Sequence, residues 1–534
     1  MKKLVISILF VMEVFIGFAQ TQTGVTGKVV DSKTQKPLQN VVTTIQNTSL
    51  TEVTDAAGKF TFKDVPVGSQ LLQIKSSGYK NQLLSVDIEK GKVVDLGTIS
   101  FEEDITSEQQ LTLVSITDND LNDDNSGSES TSALLQASRD AFQQAAAFNW
   151  GQARFRVRGL DNEYGTVMIN GVTMNKVYDG RPQWGNWGGL NDATRNQEFT
   201  TGSAPSDYAF GGILGTQEIN TRASIYRKGT RITFSGGNNA NYNWRTMATH
   251  ASGMNKAGWA FVVSGSRRWA QEGYNFDGTT YDANSLFASV EKKFNNHHSL
   301  NFTSIMAQNR RGKNSPNTAE VTALAGQKYN SYWGYQEGDK RNSREKIVDE
   351  PILMLTHYWK MNSKTNLTTS VTHQFGKIGN SRLDYFNAPS PDPTYYRNLP
   401  SYYTSQYVGT TFVGNSPANI LASQNALFLK QKQIDWAGLY YANSVTADGS
   451  SVYVLYEDRT DDKTWGGNST LNAQLADNIS MNGGVSYKRT SSKNFQLLTD
   501  LLGGDYLLDI DTFGTNADQQ QSDLNNPNRN VGSF

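Results

Sequence analysis

The chain has 534 residues, with 49 Lys and Arg against 50 Asp and Glu and a net charge of −1; its basic residues form no clustered stripe of the kind that tracks phosphates, so no nucleic-acid partner is expected. It has no cysteine, which excludes disulfides, thiolate metal sites, cysteine nucleophiles and lipid attachment to an N-terminal Cys. Mean hydropathy is −0.54, and beyond the N-terminus no run approaches the ~20 apolar residues of a membrane-spanning helix. Low hydropathy leaves membrane strands open, because each lipid-facing residue there alternates with a polar one. The length allows about three or four domains.

The first twenty residues have the order of an export signal. Lys2-Lys3 form a charged start, residues 4–18 an apolar core interrupted by Glu13, and Ala19-Gln20 a cut site after a small residue. From 24 to 101 the pattern is short alternating strands between turns, as in a small antiparallel β-sandwich. Val25, Gly27 and Val29 alternate, Val41-Val42-Thr43-Thr44-Ile45 is β-branched, and Lys59-Phe60-Thr61-Phe62 alternates again. The runs Thr26-Gly27-Lys28-Val29-Val30-Asp31, Lys36-Pro37-Leu38, Thr54-Asp55-Ala56-Ala57-Gly58-Lys59-Phe60, Val65-Pro66-Val67-Gly68 and Gly78-Tyr79 resemble the carboxypeptidase regulatory-like domain. That name suggests an enzyme, but the segment has no His, no Cys and no zinc-spaced His-Glu pair. Asp55 and Gly58 are expected to shape a hairpin turn.

Residues 102–222 change character. An acidic, Ser-rich stretch at 118–132 lacks apolar periodicity and is read as a flexible strap. Asp118, Asp120, Asn122, Asp124, Ser126 and Glu129 do fall at positions 1, 3, 5, 7, 9 and 12 of a calcium-loop template. Asp123 stands where that template needs Gly, however, and no helix precedes it, so a solvated segment is favoured and no metal is expected. Residues 131–148 carry a helical apolar side with Ser130 or Thr131 as cap. Two strands follow. Arg154-Phe155-Arg156-Val157-Arg158 ends at Gly159, and Thr166-Val167-Met168-Ile169 ends at Asn170-Gly171, a strong type I′ turn signal.

From 223 to 534 the chain reads as long alternating strands. Trp259, Phe261 and Val263 face one way and Ala260, Val262 and Ser264 the other; similar runs begin near Leu286, Leu300, Leu353, Leu367 and Ile479. Short polar turns (Met254-Asn255-Lys256, Asn295-Asn296-His297, Asn362-Ser363-Lys364, Asp477-Asn478) alternate with long connections at roughly 309–349 and 376–463. One-sided loop length is what a transmembrane antiparallel β-barrel shows, with tight periplasmic turns and long extracellular loops. Trp244, Trp259, Trp269, Phe294, Tyr358 and Trp359 suit its interfacial aromatic girdles. His250, His357 and His373 stand alone within strands and His297-His298 in a turn, so none is expected to hold a metal. No nucleophile elbow, phosphate loop or paired-carboxylate motif stands out, and no enzymatic activity or cofactor is expected.

Arg156-Val157-Arg158-Gly159-Leu160, then Val167-Met168-Ile169-Asn170-Gly171-Val172, then Gly211-Gly212-Ile213-Leu214-Gly215 with Glu218-Ile219-Asn220-Thr221-Arg222 resemble, in order and spacing, the plug of TonB-dependent outer-membrane receptors. The resemblance implies a mainly β protein: signal peptide (1–19), β-sandwich (24–101), α+β plug (102–222) and the first part of a barrel (223–534). A full barrel of that family has 22 strands and about nine precede residue 534, so the chain is expected to be the N-terminal part of a longer protein. The implied function is TonB-dependent import of a scarce, bulky ligand through the outer membrane, with sandwich and plug on the periplasmic side or in the lumen. A TonB-linked signal transducer and a non-transporting surface adhesin are the alternatives.

The implied partners are the TonB energising complex, the ligand and outer-membrane lipid, with a surface lipoprotein as an open addition. Gln110, Leu111, Thr112, Leu113 and Val114 are the candidate TonB-binding strand. The aromatic long loops (Tyr329, Tyr332, Trp333, Tyr335, Tyr395, Tyr396, Tyr402, Tyr403) suit sugar, peptide or siderophore equally and leave the ligand open. Arg156 and Arg158 are expected to pair with carboxylates of the barrel wall. Replacing both by Ala should then raise passive leakage of bulky solutes, and unchanged permeability would overturn the pairing.

Overall fold

The computed structural model describes residues 23–101, 113–116, 159–508 and 530–531, apart from 33–34, 47, 49, 77–78, 80–81, 201, 203–205, 210–211, 238–241, 274–275 and 477. The export segment, the acidic strap with its calcium-loop template, the helical stretch at 131–148, and Arg156 and Arg158 lie outside the described residues. Two compact units emerge.

The first unit is a sandwich of two small sheets. β1 (Gly24–Asp31), β4 (Lys59–Lys63) and β7 (Val93–Phe101) form one sheet in the order β4-β1-β7. β2 (Val42–Ile45), β3 (Thr51–Val53), β5 (Gly68–Lys75) and β6 (Gln82–Ile88) form the other in the order β3-β2-β5-β6. Period-2 alternation sets the faces: Phe60 and Phe62 are buried while Lys59, Thr61 and Lys63 are exposed. The two faces meet in a core of Val25, Val29, Phe60 and Phe62 against Ile45, Leu72, Ile74 and Val86. Asp55 shapes the turn into β4, its Oδ1 accepting the amides of Ala57 and Lys59 at 2.8 Å each. Gly58 closes that turn at φ 73, where a Cβ would lie 2.4 Å from the Val29 carbonyl oxygen.

The second unit contains a five-stranded sheet and a much larger one. β8 (Leu113–Ile116), β9 (Thr166–Ile169), β10 (Val172–Thr173), β11 (Gln197–Thr200) and β12 (Thr216–Ile219) make the small sheet, ordered β10-β9-β12-β11-β8. The large sheet, here the wall, begins with β13 (Gly229–Gly236), β14 (Trp244–Ala251), β15 (Trp259–Ala270), β16 (Tyr281–Lys293) and β17 (His298–Gly312). A side hairpin of β18 (Trp333–Gln336) and β19 (Asp339–Asn342) precedes β20 (Glu345–Asp349), β21 (Ile352–Lys360) and β22 (Thr365–Tyr385). A second hairpin, β23 (Tyr407–Val408) and β24 (Thr411–Phe412), and short helices precede β25 (Tyr453–Ala476) and β26 (Ile479–Asp500).

Wall strands pair antiparallel with their sequence neighbours, and β20 and β21 share one position between β17 and β22. The break between them falls at Glu350-Pro351, where Pro has no N–H to give the ladder. Opposite it, Gly376 (φ 138) takes a conformation in which a Cβ would lie 2.0 Å from the Asp349 carbonyl oxygen.

The wall is apolar on its outer face. On β16, Leu286, Ala288 and Val290 point outward between Asn284 and Lys292, whereas Ala283, Ser285, Phe287, Ser289 and Glu291 are buried. The eight steps from Asn284 to Lys292, at ~3.4 Å each and tilted as barrel strands are, bound this band within about 20 Å. Phe261, Val263, Phe302, Met306, Leu355 and Val371 continue it across neighbouring strands. Among the described residues no helix is long and apolar enough to cross a membrane, which says nothing of strands.

Three expectations are corrected. The connections at 309–349 and 376–463 are shorter than the sequence suggests, because β17 runs to Gly312, Glu345–Asp349 is a wall strand, β22 continues to Tyr385 and β25 starts at Tyr453. Past the apolar band the outward positions turn polar, as at Lys377 and Asp384, while buried apolar residues such as Ile378 and Val454 persist, so the apolar/polar alternation that marks a strand becomes irregular. Tyr358 belongs to no outer girdle; it shares the inward parity of Met354 and Thr356 and lies under the Arg222 guanidinium at 4.2 Å. His357 is not alone, since it stacks on His298 with ring centroids 5.3 Å apart.

Phe62→Ala should cost the sandwich about 3–5 kcal/mol through the cavity it leaves. Pulse proteolysis of the intact chain in urea, read at cuts beside Lys59 and Lys63, should show that module opening at lower urea than in the parent.

Candidate functional site: the seam between inner segment and wall

Residues 159–226, called here the inner segment, pack against the buried face of the wall. Their seam has an apolar middle: Ile169, Val172, Met174, Trp187 and Leu190 meet Ala260, Val262, Phe287, Ile305, Ile352 and Met354. Around it lie polar and charged contacts built on a few positions.

The Asn170–Gly171 turn is the first of these. Both residues lie in the left-handed region, φ 46 and φ 79, which is the type I′ geometry their identities predict. The turn joins β9 to β10 and projects into the wall. Asn170 Nδ2 donates to Thr221 Oγ1 at 2.8 Å and to Thr356 Oγ1 at 3.4 Å, while its Oδ1 accepts the Thr221 amide at 2.8 Å. Its backbone carbonyl accepts from Ser370 Oγ at 2.8 Å, and the Gly171 carbonyl accepts from Asn468 Nδ2 at 2.7 Å. A side chain at 171 would meet that same Asn468 amide at 2.9 Å. Three wall strands, β21, β22 and β25, thus hold one two-residue turn. Thr221 extends the grip, its Oγ1 3.0 Å from Thr303 Oγ1 on β17 and its carbonyl accepting from Ser289 Oγ on β16 at 2.7 Å.

Ion pairs flank the turn. Lys176 reaches Glu350 at the β20–β21 break and Asp462 Oδ2 on β25, the latter at 3.0 Å. The three side chains are 7%, 0% and 1% exposed. Glu350 also accepts from Asn186 Nδ2 at 3.0 Å. At the short-turn end, Arg222 gives Nε and Nη2 to Glu291 Oε1 at 2.9 and 2.6 Å and Nη2 to Ser299 Oγ at 2.9 Å, while Glu291 Oε2 accepts the Ser224 amide at 3.0 Å. In both pairs the inner segment brings the cation and the wall the carboxylate. Lys488 on β26 reverses the direction, donating to the carbonyls of Thr173 and Asn175 at 3.2 and 2.5 Å. Buried charges of this kind contribute little net stability when complete, and leave a costly uncompensated charge when one partner is removed.

The predicted site residues fare unevenly. Arg156 and Arg158 lie outside the described residues; among the described residues, Lys176 and Arg222 make cation-to-wall pairs of the kind expected of them. Gly159 (φ 76) is described, as is Gly212, where a Cβ would lie 3.0 Å from the Tyr164 carbonyl oxygen; Gly211 lies outside. Of the proposed TonB-binding strand, Leu113 and Val114 fall in β8, and Gln110, Leu111 and Thr112 lie outside. Sequence reasoning missed Lys176, Glu350 and Asp462. The available signals were a single Lys in a Gly-, Trp- and Asn-rich stretch and a carboxylate directly before Pro351, neither specific by itself. Among the described residues no group of three or more His, Cys, Asp or Glu could hold a metal ion.

Lys176→Met strands two buried carboxylates and should loosen the inner segment by about 3–5 kcal/mol. Hydrogen exchange of the amides at 166–173 in the intact chain should accelerate accordingly. The triple variant Lys176→Met, Glu350→Gln, Asp462→Asn, which leaves no lone charge, should recover most of the protection.

Comparison with known proteins places residues 25–112 against the family model described as CarboxypepD_reg-like domain. No curated protein matches the chain. Similar solved structures include the closed form of the ferric-catecholate import receptor Fiu from E. coli K12, at 13% identity over 74% of this chain and 49% of that chain, TM-score 0.41. The siderophore receptor PiuA from Acinetobacter baumannii matches at 12% identity over 73% of this chain and 43% of that one, TM-score 0.37. A cohesin–X-dockerin complex from Acetivibrio cellulolyticus matches 15% of this chain and 56% of that chain at 23% identity, TM-score 0.13. The chain spans about half the length of these solved chains.

Proposed function

We propose that this chain supplies the export signal, sandwich, plug and first barrel strands of an outer-membrane receptor that imports a scarce, bulky ligand with energy delivered through TonB, and that it is a transporter rather than an enzyme. One observation carries the proposal: a segment sealed against the polar and apolar inner face of a wall whose outer face is an apolar band. A surface adhesin has no use for such a segment. A transporter needs one, because a barrel wide enough for a bulky ligand would otherwise stand open, and the seam has the construction of a releasable closure. Its apolar middle is non-directional, its rim is polar, and its ion pairs regain hydration if the segment leaves. In this scheme the long loops capture ligand, residues 159–226 block the lumen, and a pull on the periplasmic side breaks the Lys176 and Arg222 pairs.

The absence of cysteine makes a direct test simple. In a background with no other cysteine, Thr221→Cys places one thiol in the buried seam, 3.0 Å from the Thr303 hydroxyl on the wall. In energised cells carrying the whole protein, this thiol should react with a small maleimide, and collapsing the proton-motive force should suppress the reaction. Adding Thr303→Cys should allow an oxidised cross-link that abolishes labelling until it is reduced. Labelling that ignores energisation would sink the proposal.

A further inference from the structure

The small sheet carries two glutamates that the seam does not explain. Glu198 on β11 and Glu218 on β12 are register partners in an antiparallel pair, so their side chains share a face with Cβ atoms about 5 Å apart. Glu218 is 3% exposed, and both its carboxylate oxygens accept the Gly171 amide, at 3.0 and 3.2 Å. The carboxyl is therefore the floor beneath the Asn170–Gly171 turn. The other titratable groups nearby bring no neutralising charge. Asp207 and Tyr208 face the pair from the 206–209 stretch, and Tyr358 faces Glu218 from the wall. Arg222 lies over Tyr358 but is committed to Glu291. Among the described residues no salt bridge reaches Glu198 or Glu218.

We propose that Glu198 and Glu218 hold a proton between them, and that this proton sets how firmly the Asn170–Gly171 turn is seated in the wall. The inference rests on the plug reading above and adds a pH dependence to it. Two ionised carboxylates on one face, Glu218 buried and Glu198 partly so, repel, and the relief open to them is to part β11 from β12 and admit water, which removes the floor from the turn. The proton released goes to solvent, and no other reactant is needed.

The direction of the shifts agrees. Burial pushes the Glu218 carboxyl well above the usual carboxylate range against the lowering pull of the Gly171 amide. Burial, then the charge of Asp207, raises Glu198 to about 7. A carboxyl raised in the closed state binds its proton more tightly there than in the open one. Closure is therefore favoured most below the ordinary value near 4.5, and is lost progressively as pH rises toward about 7.

The test is hydrogen exchange in the intact protein at the amides of Asn170 and Thr221, corrected for intrinsic pH dependence. Linkage of one proton allows opening to rise by up to tenfold per pH unit, so protection should fall between about ten- and a hundredfold from pH 5 to 7. The double variant Glu198→Gln, Glu218→Gln, neutral at every pH, should stay protected with no slope. A wild-type profile flat in pH, or a double variant that keeps the wild-type slope, would overturn the shared proton while leaving the plug reading intact. A segment unprotected at every pH would overturn both. As an independent check, infrared spectra at pH 6 should show a protonated carboxyl band that Glu218→Gln removes; without that band the proposal fails even where the variant is unstable.

Discussion

Lys176 is an ammonium group taken out of water between two carboxylates that are themselves out of water. The Coulomb gain between them offsets the cost of dehydration only while the geometry is complete. An interaction of this kind resists small displacements and then fails abruptly, because each tenth of the way out removes attraction before it restores hydration. The seam built around it should behave as closed or open, with little stable ground between.

The apolar middle of the seam and its charged rim divide the work. Contacts such as Ile169, Met174 and Leu190 against Val262, Ile305 and Met354 are non-directional and tolerate sliding. Charged and hydrogen-bonded contacts do not. Asn170 meets Thr356 and Ser370, Arg222 meets Glu291, and Lys488 meets the Thr173 and Asn175 carbonyls, so each fixes one point of the inner segment against a particular wall strand. Burial holds the segment in place, and the polar groups decide which place.

What could be read in the sequence follows from how local each signal is. The Asn170–Gly171 turn was legible because left-handed backbone is demanded of those two residues wherever they sit. Strand alternation is legible within the apolar band, where an exposed apolar face and a packed inner face impose opposite chemistry on successive residues. Beyond the band, Lys377, Asn380 and Asp384 interleave with buried Ile378 and with Leu383, and β22 loses the regular alternation of a strand. Tyr358 was misplaced because a girdle position was assigned by nearness to a strand end, when only its parity with Thr356 could tell inside from outside. Lys176, Glu350 and Asp462 were out of reach. The chain separates the first from the last by nearly three hundred positions, and only register across the wall brings them together.

The length of β22, β25 and β26, with 21, 24 and 22 residues, has a consequence for where a ligand is first met. A strand of that size, tilted as barrel strands are, rises about 50 Å along the membrane normal, roughly twice the height of the apolar band. The excess lies entirely on the side of the long connections. In the proposed setting, the wall therefore stands tens of ångströms clear of the apolar band on the side of the long connections. A solute met at the far rim of these strands would travel most of the distance inward inside protein.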